Sequence, residues 1–531
     1  MDVVTGWTGQ TACALQAALR LSNSDFARHL DIGVRTVADW HDNPSLKPRP
    51  DNQQLLDSAL ALAAPDVRER FAVLTGQAPP AAASGTAEGS AAADAERRLI
   101  ADENISGALA CLDQLAGWHP GTARRQVAER MSGLDRRDLL DRASRRKGIS
   151  RRAVAEALGA YYQDPAADHG RYGARFAHDG SELVTSILTR PGWLDLNCAL
   201  TAGHDRLRLD SRADAGHTPL DSDAAGAAVQ RLAETLVVGT RFADMPLYRL
   251  IRIDASDGEI SGSVGITRFA SYALTLDVLE GELRDALAAG VPPLPGSLPL
   301  RDRYLPNAGA VLGIADRMCA GGPLALCAFA RPADPYRGPA DYILLVQERS
   351  ANVVNAARQL AVIPKGFHQP LTDFRGDAKI GATLRREMEE ELFGREDIDN
   401  TVQEQNVADP MHPARLSLPM RWLLKENPSS LRMECTGFGL NLVSGNFEFA
   451  SLIVVDSDDF WESYGGQIQA CWESSSLRQY SSLDGESLAE LANDNAWSNE
   501  GLFAFLQGLR RLREIGGGRV DIPAIDWTVR P

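Results

Sequence analysis

Apolar residues recur at helical spacing through most of residues 1–165, so that one face of each segment is apolar. The runs ISGALACLDQLAGW and SRRAVAEALGAYY follow this spacing, and Ser150 is placed to cap the N-terminus of the second. We therefore expect a compact helical segment over residues 1–75 and an all-helical segment over residues 97–165.

The pattern changes from about residue 170, where β-branched and aromatic residues become frequent. The runs MPLYRLIRI and GSVGITRFASYAL are separated by the turn-like DASDGEIS, which predicts a hairpin. The helical run LDVLEGELRDALAAG then ends at the breaker VPPLPG. These features predict an α+β region over residues 170–300, followed by alternating strands and helices over residues 301–531.

Between the two helical segments lies GQAPPAAASGTAEGSAAADAE, residues 76–96. Its small residues and prolines, without large apolar side chains, cannot build a core. We expect it to be a flexible linker that separates domains.

Composition limits the functional classes. A chain of 531 residues with 44% hydrophobic residues is too long for one core. It contains no apolar run long enough to span a bilayer and no basic, then apolar, N-terminal signal, so we expect a cytoplasmic protein without a membrane partner. Its seven scattered cysteines include no CxxC pair and imply neither a disulfide framework nor a zinc site.

The stretch LSNSDFARHLDIGVRTVADWHDNP predicts two short helices around a break at residues 31–33. It resembles the helix-turn-helix of repressor-like (XRE-type) transcriptional regulators, although Asp31 and Gly33 depart from the usual glycine and serine. The resemblance implies that the second helix enters the DNA major groove, as a homodimer on paired half-sites. Its exposed candidates for contacting DNA are Arg35, Thr36 and Asp39.

Charge divides unevenly along the chain, whose net charge is -16. Residues 1–75 hold seven Lys or Arg against nine Asp or Glu, which is unusual for a DNA reader and leaves a protein-interaction scaffold as an alternative. Residues 119–152 hold eleven Lys or Arg against four Asp or Glu, so this basic stretch could supply phosphate contacts. Its candidate residues are Arg145, Arg146, Lys147, Arg151 and Arg152.

The run LRREMEEELFG places Glu387, Glu390 and Glu391 on one helical face, where like charges repel. Together with the upstream strands and the Pro-Lys-Gly at residues 364–366, the run Arg-Glu-Met-Glu-Glu-Glu resembles the signature of a Nudix domain. The resemblance implies that the three glutamates bind Mg2+ or Mn2+ and, in a hydrolase, are catalytic.

Parts of that signature are missing. Ala378 stands where the family has an earlier glutamate, and Thr372 and Phe393 replace its glycines. The intervening loop PKGFHQPLTDFRGD is also longer than the family pattern. It offers candidates for holding phosphates or a nucleotide: Lys365, His368 and Arg375.

These observations predict a multidomain chain with an all-α N-terminal helix-turn-helix, an all-α middle domain and an α+β Nudix-like C-terminal region. The domain order resembles that of large actinobacterial regulators. The leading interpretation is a DNA-binding transcriptional regulator whose Nudix-like domain senses a nucleotide-like or phosphorylated ligand. The alternatives are a metal-dependent Nudix hydrolase of a nucleoside diphosphate derivative and a protein-interaction scaffold.

Overall fold

The chain forms two compact units, Met1–Ala87 and Glu88–Pro531. The structure is a computed structural model, and it describes residues 7–30, 32–63, 67, 70–71, 74–75, 87–163, 168–177, 182–213, 219–240, 242–349, 359–393, 411–412, 414–468 and 474–530. Among these residues, no helix has both the length and the apolar character needed to cross a bilayer.

The first unit contains short helices that close around a small apolar core. Thr8 caps the first helix, because its side chain accepts a hydrogen bond from the backbone N–H of Thr11 at 3.2 Å. Phe26 from the second helix and Trp40 from the third meet edge to face in this core. The helices are α1 (Gly9–Leu19), α2 (Asn23–His29), α3 (Val34–Asp42) and α4 (Pro50–Leu62).

The second unit begins with five helices: α5 (Ala87–Ala101), α6 (Glu103–Leu115), α7 (Thr122–Ser132), α8 (Arg136–Lys147) and α9 (Arg151–Tyr161). The apolar faces of α5, α6 and α7 share one core with two later helices, α10 (Ser222–Val238) and α11 (Phe269–Ala273). The apolar face of α9, with Val154 and Leu158, belongs instead to a larger core that also contains Cys327 and Leu384. We call this the main core. These helices are therefore part of the second unit.

A ten-stranded mixed sheet is the centre of the second unit. Along its path the order is β12-β8-β7-β11-β10-β2-β1-β13, with β3 paired to β10 and β9 paired to β8. The remaining strands form a second, three-stranded sheet in the order β4-β6-β5. The strands are β1 (Gly170–Phe176), β2 (Glu182–Thr189), β3 (Leu194–Ala199), β4 (Asp205–Leu209), β5 (Pro246–Ser256), β6 (Glu259–Arg268), β7 (Gly321–Arg331), β8 (Asp341–Arg349), β9 (Leu360–Val362), β10 (Leu431–Asn441), β11 (Phe447–Val455), β12 (Ser474–Ser481) and β13 (Ile525–Arg530).

Helices cover both faces of the large sheet, which explains why its central strands are apolar without alternation. On β7, Cys327 faces the core that contains helix α15, whereas Leu326 faces the core that contains α19. The remaining helices are α12 (Val278–Ala288), α13 (Pro299–Tyr304), α14 (Ala308–Leu312), α15 (Ile380–Leu392), α16 (Leu418–Arg421), α17 (Asp458–Tyr464), α18 (Gly485–Asn493) and α19 (Asn499–Ile515).

The predicted fold class is wrong. The chain is a mixed α/β protein dominated by one large sheet, and it does not divide into an all-α N-terminal helix-turn-helix, an all-α middle domain and an α+β C-terminal region. The physical reason is that α5–α7 complete their core with α10 and α11. More than a hundred residues of the chain separate α5 from α10. The local spacing of apolar residues predicts that a helix has an apolar face, but it does not identify the segment against which that face packs.

Two local predictions are confirmed. β5 and β6 form the antiparallel hairpin, and Ser150 caps α9 by accepting a hydrogen bond from the backbone N–H of Ala153 at 3.1 Å. The predicted linker is only partly described: residues 76–86 lie outside the described residues, and residues 87–96 belong to α5.

Candidate functional site

Helix α15 carries the acidic run, and most of its charged side chains are buried. Its apolar side, with Leu384 and Met388, lies in the main core beneath the large sheet. On the charged side, Glu387, Glu389 and Glu391 are only 9%, 2% and 2% exposed. Buried charges are costly unless they are paired, so the partners of these glutamates define the site.

Arg386 provides the first pairing. Its guanidinium bonds the neighbouring Glu387 carboxylate and donates to the carbonyls of Gln369 at 3.1 Å and Phe367 at 3.4 Å. The Glu387 carboxylate lies directly against Gly366, where a methyl group would collide with it. The loop before α15 is therefore shaped around this ion pair.

Lys365 provides the second pairing, with both its backbone and its side chain. Its backbone N–H donates to Glu391 Oε2 at 2.7 Å, and its Nζ donates to Glu500 Oε1, also at 2.7 Å. Asn441 Nδ2 donates to the other oxygen of Glu500 at 3.2 Å. Because Glu500 lies in the first turn of α19, Lys365 connects helices on opposite faces of the large sheet.

Glu448 on β11 completes the cluster and is 5% exposed. Burial and then the charge of Glu500 raise the pKa of Glu448 well above its ordinary value. Burial would also raise the pKa of Glu500, but the charge and the hydrogen bond of Lys365 outweigh it, and the pKa of Glu500 is lowered. One protonated and one ionised carboxyl group beside a lysine is the arrangement that these directions favour. We call Lys365, Glu387, Glu391, Glu448 and Glu500 the glutamate–lysine cluster.

The other two acidic residues of α15, Glu389 and Glu390, are not members of this cluster. Glu389 accepts hydrogen bonds from the backbone N–H and the Oγ of Ser417, both at 2.6 Å, which anchors the N-terminus of α16. Glu390 Oε1 lies 3.9 Å from Arg386 Nε. In the described part of the chain, no group of three His, Cys, Asp or Glu side chains is arranged to hold a metal ion. The predicted Mg2+ or Mn2+ site at Glu387, Glu390 and Glu391 thus has no preformed cage there, and it stays a prediction.

His368 has a structural environment and is 1% exposed. Its Nδ1 lies 2.7 Å from Thr383 Oγ1, and its Nε2 donates to the carbonyl of Ala378 at 3.1 Å. Burial lowers the pKa of His368 to about 3, so the ring is neutral. It cannot reach a ligand in this arrangement. Among the predicted ligand residues, Lys365 is in the cluster and Arg375 is exposed on the loop.

Two of the glutamates were not predicted from the sequence, although a signal was present. Glu448 interrupts the apolar strand FEFASLIVV, and Glu500 precedes the apolar run GLFAFLQGL. A charged residue inside a strand that is buried on both faces requires a partner, which marks it for attention.

In the first unit, α3 presents the predicted DNA-contacting residues. Val37 and Trp40 are 0% and 2% exposed, whereas Arg35 and Asp39 are exposed and Thr36 is half-buried. Arg35 and Asp39 are four residues apart and therefore lie on the same side of the helix. The predicted turn residue Asp31 lies outside the described residues.

The basic stretch is used partly for internal contacts. Arg151 is 4% exposed and bonds the carbonyl of Val184, and Arg146 bonds both carboxylate oxygens of Asp285. These two arginines are therefore not available to phosphates in the way that the sequence analysis predicted. The remaining three are exposed: Arg145, Lys147 and Arg152.

Comparison with known proteins adds no family assignment. No protein-family model matches the chain, and a search of curated proteins finds no significant relative.

Proposed function

We propose that this protein is a cytoplasmic DNA-binding regulator whose second unit binds a nucleotide-like or phosphorylated ligand. The observation that carries the proposal is the division of α3 into a buried apolar side and an exposed side bearing Arg35 and Asp39. A charged, exposed face on a short helix with a fixed apolar side is suited to reading base edges in the major groove.

Each exposed residue has a role in the proposal. Arg35 donates two parallel hydrogen bonds to a guanine, and Asp39, on the same side of α3, orients the guanidinium or accepts from a cytosine. Thr36 contacts a phosphate or a thymine methyl group. A homodimer would place two such helices on paired half-sites.

The phosphate contacts are proposed for the exposed members of the basic stretch alone. Arg145 and Lys147 lie in the last turn of α8, and neither has a carboxylate partner within the described residues. Arg152 is exposed as well, but its Nε donates to Glu156 Oε1 at 2.7 Å. We therefore assign the larger part of non-specific attraction to Arg145 and Lys147.

The ligand-binding part of the proposal rests on the glutamate–lysine cluster. Sensing is favoured over hydrolysis because Glu387, Glu391 and Glu500 already accept hydrogen bonds from protein groups. The second candidate, a metal-dependent hydrolase of a nucleoside diphosphate derivative, is supported by the same concentration of carboxylates, which a divalent ion could draw together.

The DNA-binding part is tested by selecting from a random duplex library with the full-length chain and measuring the affinity of the selected sequence. We expect specific binding at least about a thousandfold tighter than binding to unrelated DNA. Equal affinity for all sequences would contradict a regulator with a defined operator, and the absence of any DNA binding would favour the scaffold.

The ligand-binding part is tested by titrating nucleoside diphosphate derivatives, with and without Mg2+ or Mn2+, while measuring both thermal stability and phosphate release. A sensor is expected to show stabilisation without release, and Glu390→Gln/Glu391→Gln should abolish the metal-dependent component. Glu426→Gln, an exposed change of the same kind, is the control. Metal-dependent release that is lost in the double variant would establish the hydrolase instead.

A further inference from the structure

Two buried cysteines lie directly opposite each other on neighbouring antiparallel strands. Cys198 on β3 is the register partner of Cys435 on β10. Both side chains are 0% exposed and belong to the same core layer, so they project from the same face of the sheet. The described cysteines are all free thiols, these two included.

The strand register places this pair within disulfide range. Two positions along the ladder, the backbone N–H of Leu200 donates to the carbonyl of Met433 at 2.9 Å. Opposed residues in an antiparallel ladder alternate between two types, so Cys198 and Cys435 are of the same hydrogen-bonded type. The Cα atoms in a regular pair of this type are about 5.5 Å apart, and disulfides span Cα separations of about 4.4–6.8 Å. The regular register of β3 and β10 holds from Cys435 to Glu434 and shifts only between Cys435 and Gly437.

β3 must open locally before the buried thiol of Cys198 can react. Within the described strands it pairs only with β10, and it is six residues long. Asp195 and Asn197 have φ values of 48° and 50°, in the left-handed region that Asp and Asn occupy more readily than other residues with a side chain. Opening of β3 must also release the ion pair between Asp195 and Arg510 and the hydrogen bond that Trp527 Nε1 donates to Asp195.

The cysteine pair is also connected to α15 through a short path. Cys198 Sγ lies 3.8 Å from the carbonyl oxygen of His204, and the next residue is Asp205. Asp205 Oδ2 accepts a hydrogen bond from the backbone N–H of Gly381, in the first turn of α15, at 3.0 Å. A covalent link between β3 and β10 would therefore act on the segment that holds the start of the helix of the glutamate–lysine cluster.

We propose that Cys198 and Cys435 form a reversible disulfide that fixes β3 to β10 when the protein reacts with hydrogen peroxide. Peroxide first oxidises one thiol to a sulfenic acid and releases one water. The second thiol then attacks this sulfur, the S–S bond forms, and a second water leaves. Two thiols lose two electrons and two protons, and one peroxide is reduced to two waters. A dithiol reverses the step by exchange.

The docked state protects both thiols. Burial, followed by the nearby carboxylate of Asp205, raises the pKa of Cys198 to about 12, so almost none of it is thiolate at neutral pH. Reaction is therefore expected to follow opening of β3, and its rate should rise in urea concentrations below the unfolding transition.

The test treats the full-length protein with hydrogen peroxide, alkylates the remaining thiols under denaturing conditions, and maps the peptides by mass spectrometry. The expected result is a peptide containing Cys198 joined by a disulfide to a peptide containing Cys435 in most molecules. Dithiothreitol should remove this link, and the link should form faster in urea below the unfolding transition than in buffer without urea. Recovery of either cysteine mainly as an alkylated thiol, or bonded to a different cysteine, would overturn the proposal.

Matched variants make the result specific. Cys198→Ala and Cys435→Ala should each abolish the linked peptide, with the remaining cysteine recovered as an alkylated thiol or as its sulfenic acid. Cys327→Ala is the control, because Cys327 is also fully buried but is paired with Ile453 in the register of β7 and β11. This variant should still form the disulfide between Cys198 and Cys435. The wild-type peptide map decides the question even if a variant fails to fold.

Discussion

Helices α3 and α15 both combine apolar and charged residues, but they use their charges in opposite ways. On α3, Arg35 and Asp39 are exposed while Val37 is fully buried. On α15, Glu387 and Glu391 are buried with the apolar residues, because α15 has neighbours on more than one side. An amphipathic pattern therefore predicts a solvent-facing side only when the rest of the fold leaves the charged side of the helix uncovered.

The same difference determines whether a substitution acts on folding stability or on binding. Charges that remain in water cost little and stay available to a partner, whereas buried charges are tolerated only with compensating groups. We therefore expect changes that break the buried ion pairs beside α15 to act mainly on folding, and changes on α3 to act mainly on DNA affinity.

The largest effect is expected when the cation of the glutamate–lysine cluster is removed. Lys365→Met keeps most of the side-chain stem but leaves Glu500 buried without its ion-pair partner, since these side chains are only 14% and 7% exposed. Breaking a buried pair on one side costs about 3–5 kcal/mol, so the free energy of unfolding should fall by that amount in urea titrations.

An exposed pair provides the control for this change. Arg152→Ala removes an ion pair with Glu156 in which the side chains are 71% and 60% exposed. It should cost about 0.3–0.5 kcal/mol. Equal losses in the two variants would mean that the glutamate–lysine cluster is solvated, and the contrast between α3 and α15 would fail.

A second effect concerns pH. Burial lowers the pKa of His368 to about 3, below its ordinary value of 6.5, so the unfolded chain takes up the proton first. The contribution of the neutral, buried His368 ring to the free energy of unfolding is complete above pH 6.5, and it is lost progressively as pH falls toward 3. Between those limits the wild type should lose about 1.4 kcal/mol for each pH unit through this residue.

His368→Gln tests this by removing the titration while keeping a donor and an acceptor for Ala378 and Thr383. Its unfolding free energy should depend less on pH than that of the wild type between pH 6.5 and 5. His204→Gln, at an exposed position, should keep the wild-type dependence. A wild-type slope in His368→Gln would assign the pH dependence to other groups.

Much of the local structure was predictable from the sequence, because it depends on nearby residues. The hairpin of β5 and β6 and the Ser150 cap follow from a turn and a hydroxyl side chain at fixed offsets. The association of α5–α7 with α10 was not predictable, since it depends on contacts between distant segments. The fold class failed for that reason.

The candidate site shows the same limit. The sequence identified Lys365 through the loop before α15, and Glu387 and Glu391 through the acidic run of α15, and the structure brings them together. Glu448 and Glu500 lie on separate elements far along the chain, and only the packing of α19 against the sheet places them beside Lys365. A sequence motif identifies residues on one helix, but it does not identify the residues from distant segments that pack beside them.

The third effect lies on the α3 side. Arg35→Ala should weaken binding to the selected DNA sequence by about 1–3 kcal/mol, the usual value of a bidentate base contact, with little change in folding stability. Arg49→Ala removes the same charge from an exposed position at the start of α4 and should preserve the sequence preference. Competition gel shifts with the selected sequence and a single-base variant measure the difference. An equal loss in both variants would reduce Arg35 to a general electrostatic role.

The smallest effect is expected from the exposed part of the basic stretch. Arg145→Ala/Lys147→Ala leaves the Arg146–Asp285 pair intact, so it tests phosphate attraction without disturbing α8. If both side chains contact phosphates, binding should weaken equally for all sequences, and the slope of log affinity against log salt should decrease in magnitude by about 1.8. Arg208→Ala/Arg212→Ala, a matched pair of exposed arginines, should leave that slope unchanged. If the two double variants instead shift the slope alike, net charge alone drives the attraction, and DNA contact would be confined to α3.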